Sequence, residues 1–600
     1  MCGIYTSNIV FNEKEVKTKL GSINFRGPDY MGIFQENGLS YGHLRLSILD
    51  LDERSNQPMS LDDYIIVFNG EIYNFQEIKD ELISLGHTFN TTGDTEVLLK
   101  GYKEWGQAVV PKLNGMFAFA IHDKINNILF CSRDRLGVKP FYYYWKDGMF
   151  EICSQLKPIS ENKTINNEAV SIYLDCTYIP SPYSIYNDVY KLPPGNNLII
   201  DLDNKTHKVE EYWNLKPVIA SNLSYEEAVD KVHDLFEDAV RIRLQSDVPF
   251  GSFLSGGIDS ALVTSLASKI SKDKIKTFSI GFEDPKFDES KIAATYAGIL
   301  GTEHKETICK AKDILEMLPT LLEVYDEPFA DSSALPSLLL NKITKQDVTV
   351  ALSGDGGDES FLGYNHFDLV KKFSYLLYIP YFVRSIISML IPKFIFKNRT
   401  EPLTRILKIK NNHEFIEGIF TGYNSITLDR SLNWLSNYKH LSLNNYQKTA
   451  DLNIKLWLEN DSNVKVDRAS MAFSVEVRSP FLDYRIIEFA RTLPISYRYY
   501  PGKKKRILRD VLKKYIPEEV FDQPKSGFSV PLGEWIREDL RQQMMETLSD
   551  ENLKMVHNLN ISKFKKMLND HMDGNADYKS YIWRVYVLIN WMKGNNFIND

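Results

Sequence analysis

Twice in this chain a short apolar run leads directly into a loop of glycines and acids, and no other feature constrains the fold as much. Pro249 to Leu254 is followed by Ser255-Gly256-Gly257-Ile258-Asp259-Ser260. Val348 to Leu352 is followed by Ser353-Gly354-Asp355-Gly356-Gly357-Asp358-Glu359. Each run has the length of a strand, as does Lys276 to Phe282 between them. Asp259 to Ile270 and Glu289 to Leu300 read as helices. Ser224-Tyr225-Glu226-Glu227 forms a capping box for helical periodicity from Ala228 to Leu244. Strands alternating with helices predict a parallel, doubly wound α/β sheet. From about residue 365 onward the chain reads as mostly helical.

The first two hundred residues have a different texture. Short apolar runs such as Ile65 to Phe68, Met116 to Ile121 and Ile128 to Cys131 are separated by turns and favour strands. One helix fits Thr95 to Tyr102. Lys191-Leu192-Pro193-Pro194-Gly195 opens a last hairpin, and Trp213 to Leu223 reads as a linker. The expected organisation is a layered α+β domain over 2–212, a linker over 213–223 and a second domain over 224–600. Six hundred residues exceed what one hydrophobic core serves, which agrees with two domains.

Both glycine loops end predicted parallel strands, where open α/β sheets bind ligands. Backbone N–H groups and a helix N-terminus there favour an anion, and a pyrophosphate suits the first loop. Asp259 and Asp358 could grip one Mg²⁺ from two sides, since that ion binds through a few carboxylates plus phosphate. No Gly-Lys-Ser/Thr closes either loop, so neither is a Walker A loop. At the other end stands Cys2. If Met1 is removed, Cys2 carries its own α-amino group beside its thiol, uniting nucleophile and base in one residue. An α-amino group titrates near ~7.7–8.0 and can take a proton at neutral pH.

The net charge of −8 argues against a general nucleic-acid binder. Five cysteines (2, 131, 153, 176 and 309) lie scattered, with no C-x-x-C pair, and the first ten residues lack a basic region leading into an apolar run. A reduced, cytoplasmic protein is expected. Phe373 to Phe396 is apolar enough to raise the question of a membrane. Pro380, Arg384 and Pro392 break it, however, and Lys371, Lys372, Lys393 and Lys397 flank it. A pair of buried helices is the expected outcome, with contact at a membrane surface as the other reading.

The N-terminal part carries Cys2-Gly3-Ile4, Arg26-Gly27-Pro28-Asp29, Arg45-Leu46-Ser47-Ile48, Asn69-Gly70-Glu71-Ile72-Tyr73-Asn74 and Gly93-Asp94-Thr95-Glu96. Gly115-Met116-Phe117-Ala118-Phe119 and Arg133-Asp134-Arg135-Leu136-Gly137 follow. Beyond the two loops come Asp326 to Ser333, Val466-Asp467-Arg468-Ala469-Ser470-Met471 and Glu476-Val477-Arg478-Ser479-Pro480-Phe481-Leu482-Asp483. In this order, over nearly the whole chain, the motifs resemble those of glutamine-hydrolysing asparagine synthetases. The resemblance implies an N-terminal-nucleophile α/β/β/α sandwich, a class II glutamine amidotransferase, followed by an ATP-pyrophosphatase-type domain. It implies that Cys2 attacks the glutamine amide, with Asn69 and the Gly70 backbone as oxyanion donors worth ~2.7–4 kcal/mol apiece. Arg45 would clamp the glutamine carboxylate, with Leu46, Ser47, Ile48 and Leu49 beside it. Asp94 would receive the ammonium, and Glu71 belongs to the same pocket.

In the second half the resemblance implies ATP and Mg²⁺. Leu254 and Ile280 would line the adenosine pocket, Ser255, Gly256, Gly257 and Ser260 the pyrophosphate loop, and Ser353 and Gly354 the nucleotide. Asp355 stands where some relatives carry Glu, at a position tied to forming the adenylate. Lys505, in Lys505-Arg506-Ile507-Leu508-Arg509, matches a catalytic lysine, with Lys503 and Lys504 as rivals in register. Phe25 replaces a histidine often found before Arg-Gly-Pro-Asp. The acceptor is expected to be aspartate, for which Asp331, Glu359 and Arg478 are available; another carboxylate, such as a uronic acid of a surface polysaccharide, is the alternative. A non-catalytic storage protein is disfavoured by retention of Cys2, Asp259, Asp358 and Lys505 together, and a β-lactam-forming synthetase by the intact glutaminase residues. An internal ammonia tunnel is implied but not readable, and the resemblance leaves a homodimer open.

Overall fold

The computed structural model describes residues 2–159, 163–286, 288–390, 406–421, 425–429, 435, 444–523 and 530–597. In the first two hundred residues, two six-stranded antiparallel sheets lie face to face. One runs Val189–Lys191, Tyr142–Lys146, Met149–Cys153, Gly3–Ser7, Leu39–Arg45, Tyr30–Glu36. The other runs Thr206–Glu211, Asn196–Asp201, Ile128–Arg133, Gly115–Asp123, Tyr64–Ile72, Met59–Leu61. The two-residue period of a strand sorts the side chains. Along Tyr64–Ile72, Ile65 and Val67 enter the core between the sheets with Ile4, Phe150 and Ile152. Ile66 and Phe68 turn the other way, onto helices Phe75–Ser84 and Asp94–Trp105, where they meet Ile78, Leu82 and Val97. On the far side, helices Glu13–Gly21 and Asn167–Cys176 cover Tyr5 and Leu44. The result is the expected α/β/β/α sandwich, with the strand that begins at Gly3 in mid-sheet.

Residues 213–223 form neither helix nor strand. The expected capping box then starts helix Tyr225–Arg243, Ser224 and Glu227 each satisfying the other's backbone N–H. The second sheet has five parallel strands in the order Glu303–Cys309, Lys276–Phe282, Phe250–Phe253, Val350–Leu352, Glu476–Arg478. The chain moves one way from Phe250–Phe253 and the other way from Val350–Leu352. Both glycine loops therefore leave the sheet at its topological switch point, where a crevice must open.

The two outer strands are absent from the sequence reading. Glu303–Cys309 is an edge strand rich in charge, so it carries no clean apolar alternation. Glu476–Arg478 is three residues long, too short for any period, and is held by pairing with Val350–Leu352.

The expectation of two buried helices in Phe373 to Phe396 is overturned. Helices His366–Leu376 and Tyr381–Leu390 do form, and residues 391–396 lie outside the described residues. Yet Tyr375, Tyr378, Phe382, Met389 and Leu390 are exposed, while Arg384 and Ser388 are buried. Apolar composition predicted an inward face; the helix is instead held by its polar one. No helix among the described residues is long and apolar enough to cross a membrane.

The halves meet through buried charge. Arg26 grips Asp467 with two bonds of 2.8 and 3.0 Å, and Arg468 bonds the same carboxylate at 2.8 Å and reaches Asp326 at 3.5 Å. Gln155 donates to Asp326 at 2.8 Å, and Lys191 pairs with Glu327. Burial alone would push the Asp467 carboxyl up, but Arg26 and Arg468 hold it well below the usual carboxylate range. Its folded value lies below its unfolded one, so its contribution to stability is in full force above about pH 4 and fades as pH falls further. Asp467→Ala takes the buried carboxylate from between Arg26 and Arg468, leaving Arg26 with only neutral partners, and is expected to cost about 3–5 kcal/mol. The measurement is the denaturant midpoint at pH 7; an unchanged midpoint would remove this pair from the forces that hold the halves together.

Candidate active sites

Cys2 precedes the strand Gly3–Ser7 and lies against Tyr64–Ile72 of the facing sheet. Its backbone N–H donates to Asn69 Oδ1 at 2.9 Å. The other end of that amide, Asn69 Nδ2, is buried without a hydrogen-bond partner. An unpaired buried donor is costly, and next to a nucleophile it is placed to receive an oxyanion. Gly70 follows on the strand. A Cβ there would fall 2.1 Å from the Met116 carbonyl oxygen, so only glycine fits. Burial pushes the Cys2 thiol above its ordinary value, which calls for a nearby base.

Around this point the expected pocket residues divide. Arg45 is buried, and its guanidinium is held by the carbonyls of Asp50 and Asp52 (2.9 Å for the latter) and by Asn56 Oδ1 at 2.8 Å. Asp94 stands in the first turn of Asp94–Trp105 and accepts from the Ile72 N–H at 2.9 Å; burial raises it to about 6. Burial, then the charge of Glu476, raises Glu71 well above its ordinary value. Ser47 donates its N–H to Asp29 at 2.8 Å. The Leu46 backbone lies within hydrogen-bond reach of the Cys2 thiol, while the Leu46 and Ile48 side chains pack with Val350 and Met471 of the other half, and Leu49 packs beside the outer helices.

The second site is a cavity of about 560 Å³ at the switch point, a size that suits a nucleotide-scale ligand. Leu254, Ser255, Gly257, Asp259, Ser260, Ile280, Ser353, Gly354, Asp355 and Asp358 all line it. Gly256 does not; it packs against Glu289, and its carbonyl accepts from the Tyr296 hydroxyl. The first loop is braced by its own serines. Ser260 Oγ accepts from the Ser255 N–H at 3.1 Å, and Ser255 Oγ from the Gly257 N–H at 3.1 Å. The N-terminus of helix Ile258–Ile270 carries no side-chain cap, and Gly257, Asp259 and Ser260 around it line the cavity, which leaves its first N–H groups available to an anion.

Lys505 Nζ bridges the two loops, pairing with Asp259 and, at 2.7 Å, with Asp358. Burial opposes the charge, but the two carboxylates raise the lysine well above its ordinary value. Lys505 itself holds a left-handed backbone conformation (φ 54°), which costs a residue with a Cβ of order 1–2 kcal/mol. Glycines make the room: a Cβ on Gly357 would fall 2.6 Å from Asp259 Oδ1, and one on Gly363 would fall 1.9 Å from Asp358 Oδ1. Lys503 instead pairs with Glu518 at the surface, and Lys504 with Asp368. Two carboxylates converging on one cationic centre is also a donor set that fits Mg²⁺ beside phosphate. Among the described residues no cluster of three or more metal-ligating side chains occurs, so phosphate would have to complete such a site.

Two residues that line the cavity, Lys465 and Tyr364, escaped the sequence reading. Lys465 lines the cavity and pairs with Asp331 at 2.9 Å; burial pushes Asp331 up, but this pair and the bonds around it hold it at about 2. Lys465 sits two positions before Asp467 on helix Asn463–Met471, about 200° round, so one helix serves the cavity and the seam. A helical-wheel reading of Val466-Asp467-Arg468 would have found it. Glu359 is raised to about 7 by burial and by Asp358, and accepts from the Tyr364 hydroxyl at 2.6 Å.

Arg478, expected at the acceptor, belongs elsewhere. It is fully buried and pairs with Glu476 at 2.6 Å and with Glu71 of the first site at 3.3 Å, while its carbonyl accepts from the Ser353 N–H at 2.9 Å. The correction follows from strand Glu476–Arg478, which turns that side chain toward the seam.

These sites agree with what the chain is similar to. The asparagine synthase family matches residues 231–593, and a glutamine amidotransferase domain matches 1–213. Asparagine synthetase [glutamine-hydrolyzing] 1 of Bacillus subtilis (strain 168) is 32% identical over 96% of this chain and 93% of its own length. A putative asparagine synthetase [glutamine-hydrolyzing] 2 of Methanocaldococcus jannaschii is 40% identical over 65% of this chain and 81% of its own. The amidase chyE of Penicillium rubens is 27% identical over 90% and 88% respectively. A nucleophile-bearing sandwich joined to a glycine-looped parallel sheet, matched along both halves, makes this chain a member of the asparagine synthase family with a glutamine amidotransferase domain.

Proposed function

We propose that the chain makes asparagine from aspartate, with ATP as energy source and glutamine as nitrogen donor. The observation that carries the reading is the Lys505 bridge between Asp259 and Asp358 at the switch-point cavity, in a molecule that also holds Cys2 against Asn69. With Met1 removed, the Cys2 α-amino group takes the thiol proton. The sulfur attacks the glutamine side-chain carbonyl, and Asn69 Nδ2 and the Gly70 N–H receive the oxyanion. Expulsion of ammonia leaves a thioester, which water cleaves to glutamate. In the other cavity the aspartate β-carboxylate attacks the ATP α-phosphorus and pyrophosphate departs. Ammonia then attacks the β-carbonyl and AMP departs. Lys505 leaves the two aspartates to meet the phosphates, whose charge exceeds theirs. Asp259 and Asp358 would hold Mg²⁺, which neutralises the leaving pyrophosphate when bound.

A narrow cavity of about 20 Å³ at the seam supports transfer of ammonia between the sites. Val138 and Lys139 wall it from the first half and Val466, Val477 and Leu482 from the second, with Asp355 and Asp467 also lining it. Aspartate is favoured over a sugar acid because the acceptor end is acidic. Asp331, Asp355 and Glu359 line it with Lys465, a set suited to an ammonium and a carboxylate together. Amidation of another carboxylate is the second reading, and kinship to an amidase motivates its test.

Direct product analysis with glutamine, ATP and a panel of acceptors decides between them. Asparagine, AMP and pyrophosphate are expected from aspartate, and turnover of a uronic acid with none of aspartate would overturn the reading. Cys2→Ala is expected to abolish glutamine-dependent synthesis and to leave synthesis from ammonium chloride within about twofold, because the thiol serves only ammonia release. Lys505→Ala is expected to lower ATP-dependent pyrophosphate release by two orders of magnitude or more, the scale of losing one charge-stabilising donor. Lys503→Ala and Lys504→Ala, whose partners lie outside the cavity, are expected to stay near wild type; equal effects from all three would dismiss the bridge.

A further inference from the structure

Helix Tyr381–Leu390 is docked the wrong way round for a surface helix. Its buried residues are Arg384 and Ser388, one turn apart. Arg384 donates to the carbonyls of Ile379 at 2.8 Å and Ile409 at 2.7 Å, which fixes the helix by its polar side. The opposite side presents Phe382, Ile386, Met389 and Leu390, at the i, i+4, i+7, i+8 spacing of one apolar stripe. These four are 66, 53, 76 and 73% exposed. Tyr375 and Tyr378 stand exposed just before the helix. Among the described residues, ten of the 28 exposed large hydrophobic side chains fall between Leu369 and Leu390. Such concentration marks a contact surface rather than ordinary scatter.

Charge identifies the partner. From Lys371 to Lys410 the sequence carries nine lysines and arginines against one acidic residue, Glu401, in a chain whose net charge is −8. Of the described ones, Lys372, Lys408 and Lys410 are exposed and Lys371 half-buried. The strand of chain that bears Lys408 and Lys410 is tied to the helix through Arg384. An apolar stripe with tyrosines at its edge and cations around it matches a lipid interface whose headgroups are anionic. A second copy of the chain fits poorly, because a two-fold contact would set the same lysines against one another.

We propose that the exposed face of Tyr381–Leu390, with the basic residues around it, docks this protein on the surface of an anionic phospholipid bilayer without crossing it. The docking does not rest on the identity of the acceptor. The test is flotation of the full-length protein with vesicles of phosphatidylcholine alone and of phosphatidylcholine mixed with phosphatidylglycerol. Binding to the anionic vesicles is expected, at least tenfold above binding to the neutral ones and weakened by salt. Phe382→Glu with Met389→Glu is expected to reduce it at least tenfold while ATP-dependent pyrophosphate release is unchanged, which shows that the half carrying the helix is folded. Lys408→Glu with Lys410→Glu is expected to remove the preference for anionic lipid. No flotation with anionic vesicles, or equal flotation of the Phe382/Met389 variant, overturns the proposal. So does a wild-type dimer that the same variant converts to a monomer in sedimentation while flotation is absent, which would make the face an interface between copies.

Discussion

The rest of the structure depends on one buried carboxylate, Asp467. It satisfies Arg26 from the amidotransferase half and Arg468 from its own, at a seam where water is excluded. A charge in that position is tolerable only when it is paired on all sides, so the pairing acts as a register for the halves. Through that register Arg478 reaches Glu71, while its backbone holds Ser353 of the nucleotide loop. Two sites built on unrelated folds thus share one residue, and the glutamine pocket is electrostatically complete only with the second half in place.

At the nucleotide end the governing constraint is like-charge repulsion. Asp259 and Asp358 face one point, with Asp355 and Glu359 in the same cavity wall. Lys505 offsets one of the two charges and relieves their repulsion, at the expense of a left-handed backbone and with glycines at 357 and 363 to admit it. Strain of this kind persists where the surrounding structure over-determines it, and it clusters at sites that must rearrange. A lysine held by two carboxylates is a tethered cation, ready to follow whichever anion binds more strongly. Helix Asn463–Met471 adds to the economy of the arrangement, since its opposite faces carry Lys465 to the cavity and Asp467 to the seam.

Local chemistry was legible in the residues themselves. The capping box at Ser224, the strand Lys276–Phe282 and both glycine loops needed only periodicity and turn chemistry, because they are satisfied within a few residues of chain. The lysine register at 503–505 was a matter of motif alone until the backbone gave it a direction. Strand Glu476–Arg478 had no legible signal, since three residues carry no period and their pairing partner lies more than a hundred residues away. With its strand unread, nothing in the sequence placed Arg478 at the seam.

The sequence by itself determined a layered α+β first half, which its family resemblance made a sandwich, and the parallel sheet, the position of Cys2 and the loops that bear Asp259 and Asp358. These are consequences of short-range pattern, which every copy of the chain carries before it folds. Only the tertiary structure decided which lysine meets both aspartates, which arginine joins the two sites and which side of Tyr381–Leu390 faces out. Each of those depends on where distant backbone carbonyls and carboxylates come to rest. Composition counts the apolar residues in that helix, but whether they turn inward was settled by Arg384, which found its carbonyl partners inside.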